Sequence, residues 1–176
     1  MKQVALAFLA AALVAVAPAH AQKTAGDVVD DNTINASVKA ELAAAENLED
    51  SQIVVETYQG IVLLAGFLPS QAQKDKAGTV AKGVSNVKKV HNAIAIQAEN
   101  TAGSKLDDSV TTGKVKAALM DDKDVKSGQI NVETKNGVVS LGGFVSGDKV
   151  KTRAVEVAKG VSGVKSVVDA MYVKPN

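Results

Sequence analysis

AKGVSNVKKV (Ala81–Val90) and AKGVSGVKSV (Ala158–Val167) share eight of ten residues and stand 77 positions apart. Such glycine-bearing segments are either a phosphate-binding loop used twice or the trace of a duplicated domain. A phosphate loop needs G-x-x-x-x-G-K-[ST] between a strand and a helix, so that backbone N–H groups and the lysine converge on phosphate. Gly160 and Gly163 have the wrong spacing and follow a helical pattern instead of preceding one. Gly142 and Gly147 have the right spacing, but Asp148 takes the lysine's place and puts negative charge where phosphate would sit.

The duplication extends outward without a gap. The same offset of 77 aligns Asp30–Gln97 with Asp107–Lys174, and 28 of the 68 aligned pairs are identical. Within it, Asp30-Asp31 falls on Asp107-Asp108, Val38-Lys39-Ala40 on Val115-Lys116-Ala117, and Gly66-Phe67 on Gly143-Phe144. A period of this length is too long for a solenoid unit and suits a small self-contained domain. The chain is therefore divided into residues 30–97 and 107–174. Ala98–Leu106 (AENTAGSKL) reads as a flexible polar linker and 22–29 as a loose lead.

Each copy reads helix, strand, strand, helix, strand. Ile34, Val38 and Leu42, with Thr111, Val115 and Leu119 as counterparts, recur at i, i+4 and i+8 on one helical face. The aspartate pairs ahead of them suit a helix N-terminus. Ile53–Thr57 and Ile130–Thr134 are β-branched and alternating; Gln59-Gly60 and Asn136-Gly137 follow as hairpin turns, Asn-Gly being a strong signal for one. The return strands, 61–67 and 138–145, are almost continuously apolar, as in strands covered on both faces. A second helix buries Ala77, Val80, Ala81 and Val84, or Ala154, Val157, Ala158 and Val161, and ends in the quoted stretches. One last strand each, 90–96 and 167–173, completes a three-stranded sheet with two helices on one face. The fold class is α+β, two tandem α-β-β-α-β domains.

The chain opens with Lys2, a 14-residue apolar run from Val4 to Ala17, and Ala19-His20-Ala21. This is the plan of a signal peptide, residues 1–21, too short to span a bilayer at roughly 20 residues. No later stretch is apolar enough to cross one. With no cysteine, there are no disulfides, thiolate ligands or lipid-bearing cysteine. Residues 22–100 carry 7 basic and 10 acidic side chains, and 101–176 carry 12 and 9, so the halves lie near −3 and +3.

The helix motif Val115-Lys116-Ala117-Ala118-Leu119, the strand Ile130-Asn131-Val132-Glu133-Thr134, the hairpin Asn136–Gly143 and the joint Ala158–Val167 together resemble the BON domain. Both copies fit. For an exported tandem chain without a lipid-bearing cysteine, the resemblance implies a soluble protein of the Gram-negative periplasm, associated with hyperosmotic and envelope stress. It implies binding to phospholipid surfaces or, as the alternative, holdase activity toward exported or outer-membrane proteins. It implies no catalytic residues. Membrane-docking members make contact near the first helix of the second domain, here Val110–Met120, which offers Leu119 and Met120 with Lys114 and Lys116 and no tryptophan.

The inventory for chemistry is thin. Asp122, Asp124 and Glu133 take positions one, three and twelve of a calcium loop, but Lys126 and Ser127 occupy positions five and six, where an oxygen ligand and a glycine are needed. After export only His91 remains, a poor basis for a zinc site without cysteine, and any Ser-His-Asp arrangement would need His91 as its base. Near-neutral charge and few aromatic residues argue against nucleic acid. The expectation is a non-enzymatic protein with no cofactor or metal, whose partner is an anionic phospholipid surface or unfolded exported proteins. Its candidate lipid contacts are Lys114, Lys116, Met120, Lys123 and Lys126.

Overall fold

The computed structural model describes residues 25–48, 53–98 and 102–175; the expected signal peptide lies outside them. The first copy consists of helix α1 (Ala25–Ala44), the hairpin β1 (Ile53–Tyr58) and β2 (Ile61–Leu68), helix α2 (Gln71–Gly83), and the short strands β3 (Lys89–Asn92) and β4 (Ala95–Ile96). The second consists of α3 (Ala102–Asp121), β5 (Asn131–Lys135), β6 (Val138–Val145), α4 (Asp148–Lys159) and β7 (Ser166–Val173). In each, the hairpin is antiparallel and the last strand runs parallel to the middle one, giving the orders β1-β2-β3 and β5-β6-β7. The α+β reading of two tandem domains is the observed architecture.

The helix faces read from periodicity are buried as expected. Ile34, Val38, Leu42, Ala77 and Ala81 pack with Val55, Val62, Leu64 and Leu68 in one core. Val115, Leu119, Ala154 and Ala158 pack with Val132, Val139, Leu141, Val145 and Met171 in the other. Three details differ. Both first helices begin five residues before the aspartate pairs, so Ala25 and Ala102 start helix in segments expected to be loose. Asp31 and Asp108 consequently sit inside their helices, and their carboxylates reach the hairpin turns instead. Asp31 accepts the backbone N–H of Gln59 and Gly60, and Asp108 those of Asn136 and Gly137, at 2.7–2.8 Å. All four turn residues hold positive φ (51°, 78°, 54° and 79°), the left-handed geometry that aims two successive N–H groups at one acceptor.

The third difference is in the last strand. In the first copy it breaks at Ala93–Ile94, where the Asn92 side chain accepts the Ile94 N–H; Ile94 turns into the core while Ile96, paired with the core residue Leu68, is left 46 % exposed. Asp169 accepts the Met171 N–H in the same way, yet β7 continues. In the quoted stretches, the residues with positive φ are Asn86 (66°) and Gly163 (100°), not Gly83 and Gly160. Asparagine and glycine are the residues that tolerate this conformation, so the sixth position of each stretch makes the joint.

The two sheets pack against each other through the faces that their helices leave bare. This explains why β2 and β6 are almost continuously apolar: Leu63, Ala65, Phe67 and Phe144 point away from their own helices and are still 0–5 % exposed. Ala65 and Gly142 occupy equivalent positions in the repeat and meet at the crossing, where a Cβ on Gly142 would lie 2.6 Å from that of Ala65. Contact between equivalent positions makes this seam approximately two-fold. Along it, Tyr58, Phe144, Tyr172 and His91 interleave, with ring centroids 5.6, 5.7 and 5.0 Å apart. Lys174 lies over Tyr58 and Lys89 over Tyr172.

Candidate functional site

On α3, burial separates two faces. Asp108, Thr111, Val115 and Leu119 turn inward. Opposite them run Leu106, Val110, Gly113, Ala117 and Met120, spaced four, three, four and three, which keeps all five on one side of a helix. All are exposed, Leu106 by 70 %, Val110 by 50 % and Met120 by 71 %. From Leu106 to Met120 the stripe is about 21 Å long at 1.5 Å per residue. Lys105 and Lys116 flank it on one side, and Lys114, Asp107 and Asp121 on the other, all exposed. The helix thus has two apolar faces: one builds the core, and the other meets solvent in a charged frame.

Of the residues picked from sequence, Lys114, Lys116 and Met120 are brought together here. Lys123 and Lys126 are exposed but lie past the helix end, in the connection to the 3-10 turn Ser127–Gln129. Leu119 is 1 % exposed, so it belongs to the core and is lost as a surface contact. Sequence reasoning missed Leu106, because 98–106 reads as linker, and passed over Val110 although it opens the segment Val110–Met120. The four-three spacing from Leu106 through Met120 was the signal that could have found them.

The duplicate helix provides an internal control. The α1 positions matching Val110, Gly113, Ala117 and Met120 are Thr33, Ala36, Ala40 and Ala43, exposed but small or polar. The two domains have equivalent cores and differ on this face at these four positions.

Elsewhere, titratable groups serve structure. Asp122 is held below the usual carboxylate range by the Arg153 guanidinium, 2.8 Å away, and Arg153 is raised in turn. Asp122 also accepts the Asp124 N–H, so the first of the acids weighed as calcium ligands closes a turn and a helix-to-loop ion pair. Among the described residues, no group of three or more His, Cys, Asp or Glu side chains is placed to hold a metal ion, and no helix is long and apolar enough to cross a membrane.

Residues 30–98 and 107–175 each match the BON domain family. The chain is 40 % identical over 151 residues to the osmotically-inducible protein Y of Escherichia coli, covering 85 % of this chain and 75 % of that protein. It is 31 % identical over 147 residues to the outer membrane lipoprotein DolP of Haemophilus influenzae, covering 83 % and 76 %. It is 33 % identical to the 21 kDa hemolysin of Actinobacillus pleuropneumoniae, covering 83 % and 75 %. Matched twice over nearly all of its folded length, the chain belongs to the BON domain family, with one such domain in each half.

Proposed function

We propose that this protein is a non-catalytic envelope-stress protein of the periplasm that docks on anionic phospholipid through the solvent face of α3. The names of its relatives, one osmotically inducible and one an outer membrane lipoprotein, support the setting. The observation that carries the docking surface is the exposed stripe Leu106–Val110–Met120. Large apolar side chains held in water on a regular helix lose free energy on entering a lipid interface.

Magnitudes decide which part of the face matters. A lysine near an anionic surface contributes about 1 kcal/mol, and the acids alongside offset part of it. With Lys105, Lys114 and Lys116 against Asp107 and Asp121, the helix face keeps a net charge of +1. Fully burying a Leu, Val or Met side chain is worth roughly 1.5–3 kcal/mol. The apolar stripe therefore supplies most of the affinity, and the lysines orient it. The holdase alternative has less to work with. The large apolar sheet faces are turned on each other in the seam, and three of the four large apolar side chains left exposed among the described residues lie on α3.

The test is co-sedimentation of residues 22–176 with vesicles of phosphatidylglycerol and phosphatidylethanolamine. Binding is expected at low salt and should weaken as added salt shortens the Debye length from about 10 Å at 0.1 M to about 3 Å at 1 M. Absence of binding at low salt would remove the lipid reading.

A further inference from the structure

The groups that meet in the seam come in pairs, one from each domain, and both cores close without them. Glu56 on β1 accepts a hydrogen bond from the Asn131 side chain on β5. Tyr58 meets Phe144 and His91 meets Tyr172, while Lys174 lies over Tyr58 and Lys89 over Tyr172. β1 also touches β6 and β5 touches β2, as an approximate two-fold requires. The covalent connection between the domains is short. The Gln97 N–H is still bonded to Leu68 on β2, and α3 begins at Ala102. None of the seam pairs involves residues 98–101, so a second copy of the chain offers a first domain the same surface as its own second domain does.

Like faces do not fit each other. Two first domains joined in this way would set Ala65 against Ala65, where a second Cβ lies only 2.6 Å from the first. Two second domains would meet without that clash, Gly142 on Gly142. They would place Lys135 where Tyr58 stands and Val168 where His91 stands, so Phe144 and Tyr172 lose their ring partners. Such a pair also leaves Leu63, Ala65 and Phe67 of both first domains without cover. The seam therefore selects a first domain for a second domain, whichever chain supplies it.

We propose that the seam is also an interface between copies: two chains trade first domains and form a closed dimer in which each first domain docks on the other chain's second domain. Both seams are then made with the contacts of the single chain, and no sheet face is left bare. The exchange alters residues 98–101 and the exposed bond from the Asn136 side chain to the Ala98 carbonyl, 3.2 Å long. Exchange of whole elements between identical chains is a low-cost route to dimers for this reason. A short connection holds its two domains at an effective concentration of about 1 mM. Chains at about 10 μM thus remain closed on themselves, and exchange grows as their concentration approaches about 1 mM. One consequence rests on the lipid reading above: the dimer carries two α3 faces, and copies crowded on a vesicle reach the concentrations that favour it.

The chain has no cysteine, so introduced thiols report which chains meet. Chain carrying Glu56→Cys is mixed, without lipid, with chain carrying Asn131→Cys and pulsed with dibromobimane, which bridges neighbouring thiols. A covalent dimer is expected, its fraction rising at least about fivefold between about 0.1 and 1 mM chain. It should exceed the collisional background of Glu56→Cys mixed with Lys159→Cys, an exposed position outside the seam. The Glu56→Cys/Asn131→Cys double variant at about 10 μM should instead bridge within one chain. Adding Gly142→Val should return the mixture to background, whereas Leu106→Asp/Val110→Asp/Met120→Asp should leave the dimer unchanged, which separates exchange from the lipid face. No dimer above background at about 1 mM, from chains whose double variant closes on itself, would overturn the exchange. So would a dimer that survives Gly142→Val. Circular dichroism checks that each variant is folded.

Discussion

Asp108 shows how one residue's role depends on partners far along the chain. Its carboxylate accepts two successive N–H groups from a turn 28 and 29 residues away while 5 % exposed. Hydrogen bonds to a charged group contribute about 1.5–3 kcal/mol, and removing the acceptor leaves two turn donors unmatched. Asp108→Ala should therefore lower the stability of the second domain by about 2–3 kcal/mol, read as a fall in the urea midpoint at unchanged slope. Gly142 carries a second residue-scale expectation. A valine there would drive its Cβ into Ala65, and overpacking a closed interface costs about 1–3 kcal/mol. Since Gly142 lies on the seam, Gly142→Val should separate the two unfolding transitions in calorimetry while each domain keeps its own core.

At the scale of elements, the helix faces and strand order within each hairpin could be read in advance because 3.6- and 2-residue periods are local properties of the chain. The starts of α1 and α3 could not. An aspartate pair ahead of an apolar face has the chemistry of a helix N-terminus, and the same chemistry serves a turn packed against the helix side. Reading Asp107-Asp108 as the start cut off the first turn of α3, and with it Leu106, one end of the apolar stripe. The break between β3 and β4 was equally hidden, since Asn92 and Asp169 occupy one position in the repeat and only Asn92 is followed by a broken strand. The stripe gives the prediction at this scale. Leu106→Asp/Val110→Asp/Met120→Asp should abolish vesicle binding, whereas Lys114→Gln/Lys116→Gln should weaken it about tenfold, both at unchanged thermal midpoint because none of these side chains is buried. Loss of binding with the lysine pair alone, the triple variant remaining competent, would reverse the assignment of affinity to the apolar face.

For the whole molecule, the sequence carried the fact of two-sided burial without its cause. Continuous apolar runs in β2 and β6 require cover on both faces, yet nothing in either run says whether helices, a second chain or the other domain provides it. The structure answers with the other domain, and the aromatic residues of the folded chain gather at that junction: Tyr58, Phe144 and Tyr172 are in ring contact there, with Phe67 buried on the same sheet face. Packing the sheets on each other leaves each domain's helices outward, so α3 is presented to solvent while its core face stays closed. A duplicated fold can then differentiate by changing only the outer residues of one helix, as the contrast between Thr33 and Val110, or Ala43 and Met120, illustrates.

The central claim is that this outer face of α3 is where the protein meets lipid, and an NMR titration of the 15N-labelled chain with phosphatidylglycerol-containing micelles tests it most directly. The account predicts shifts and broadening concentrated on the amides of residues 105–121, with α1 and the seam strands unaffected. Perturbations centred on α1, the sheet edges or the seam, or none at saturating micelle, would contradict it.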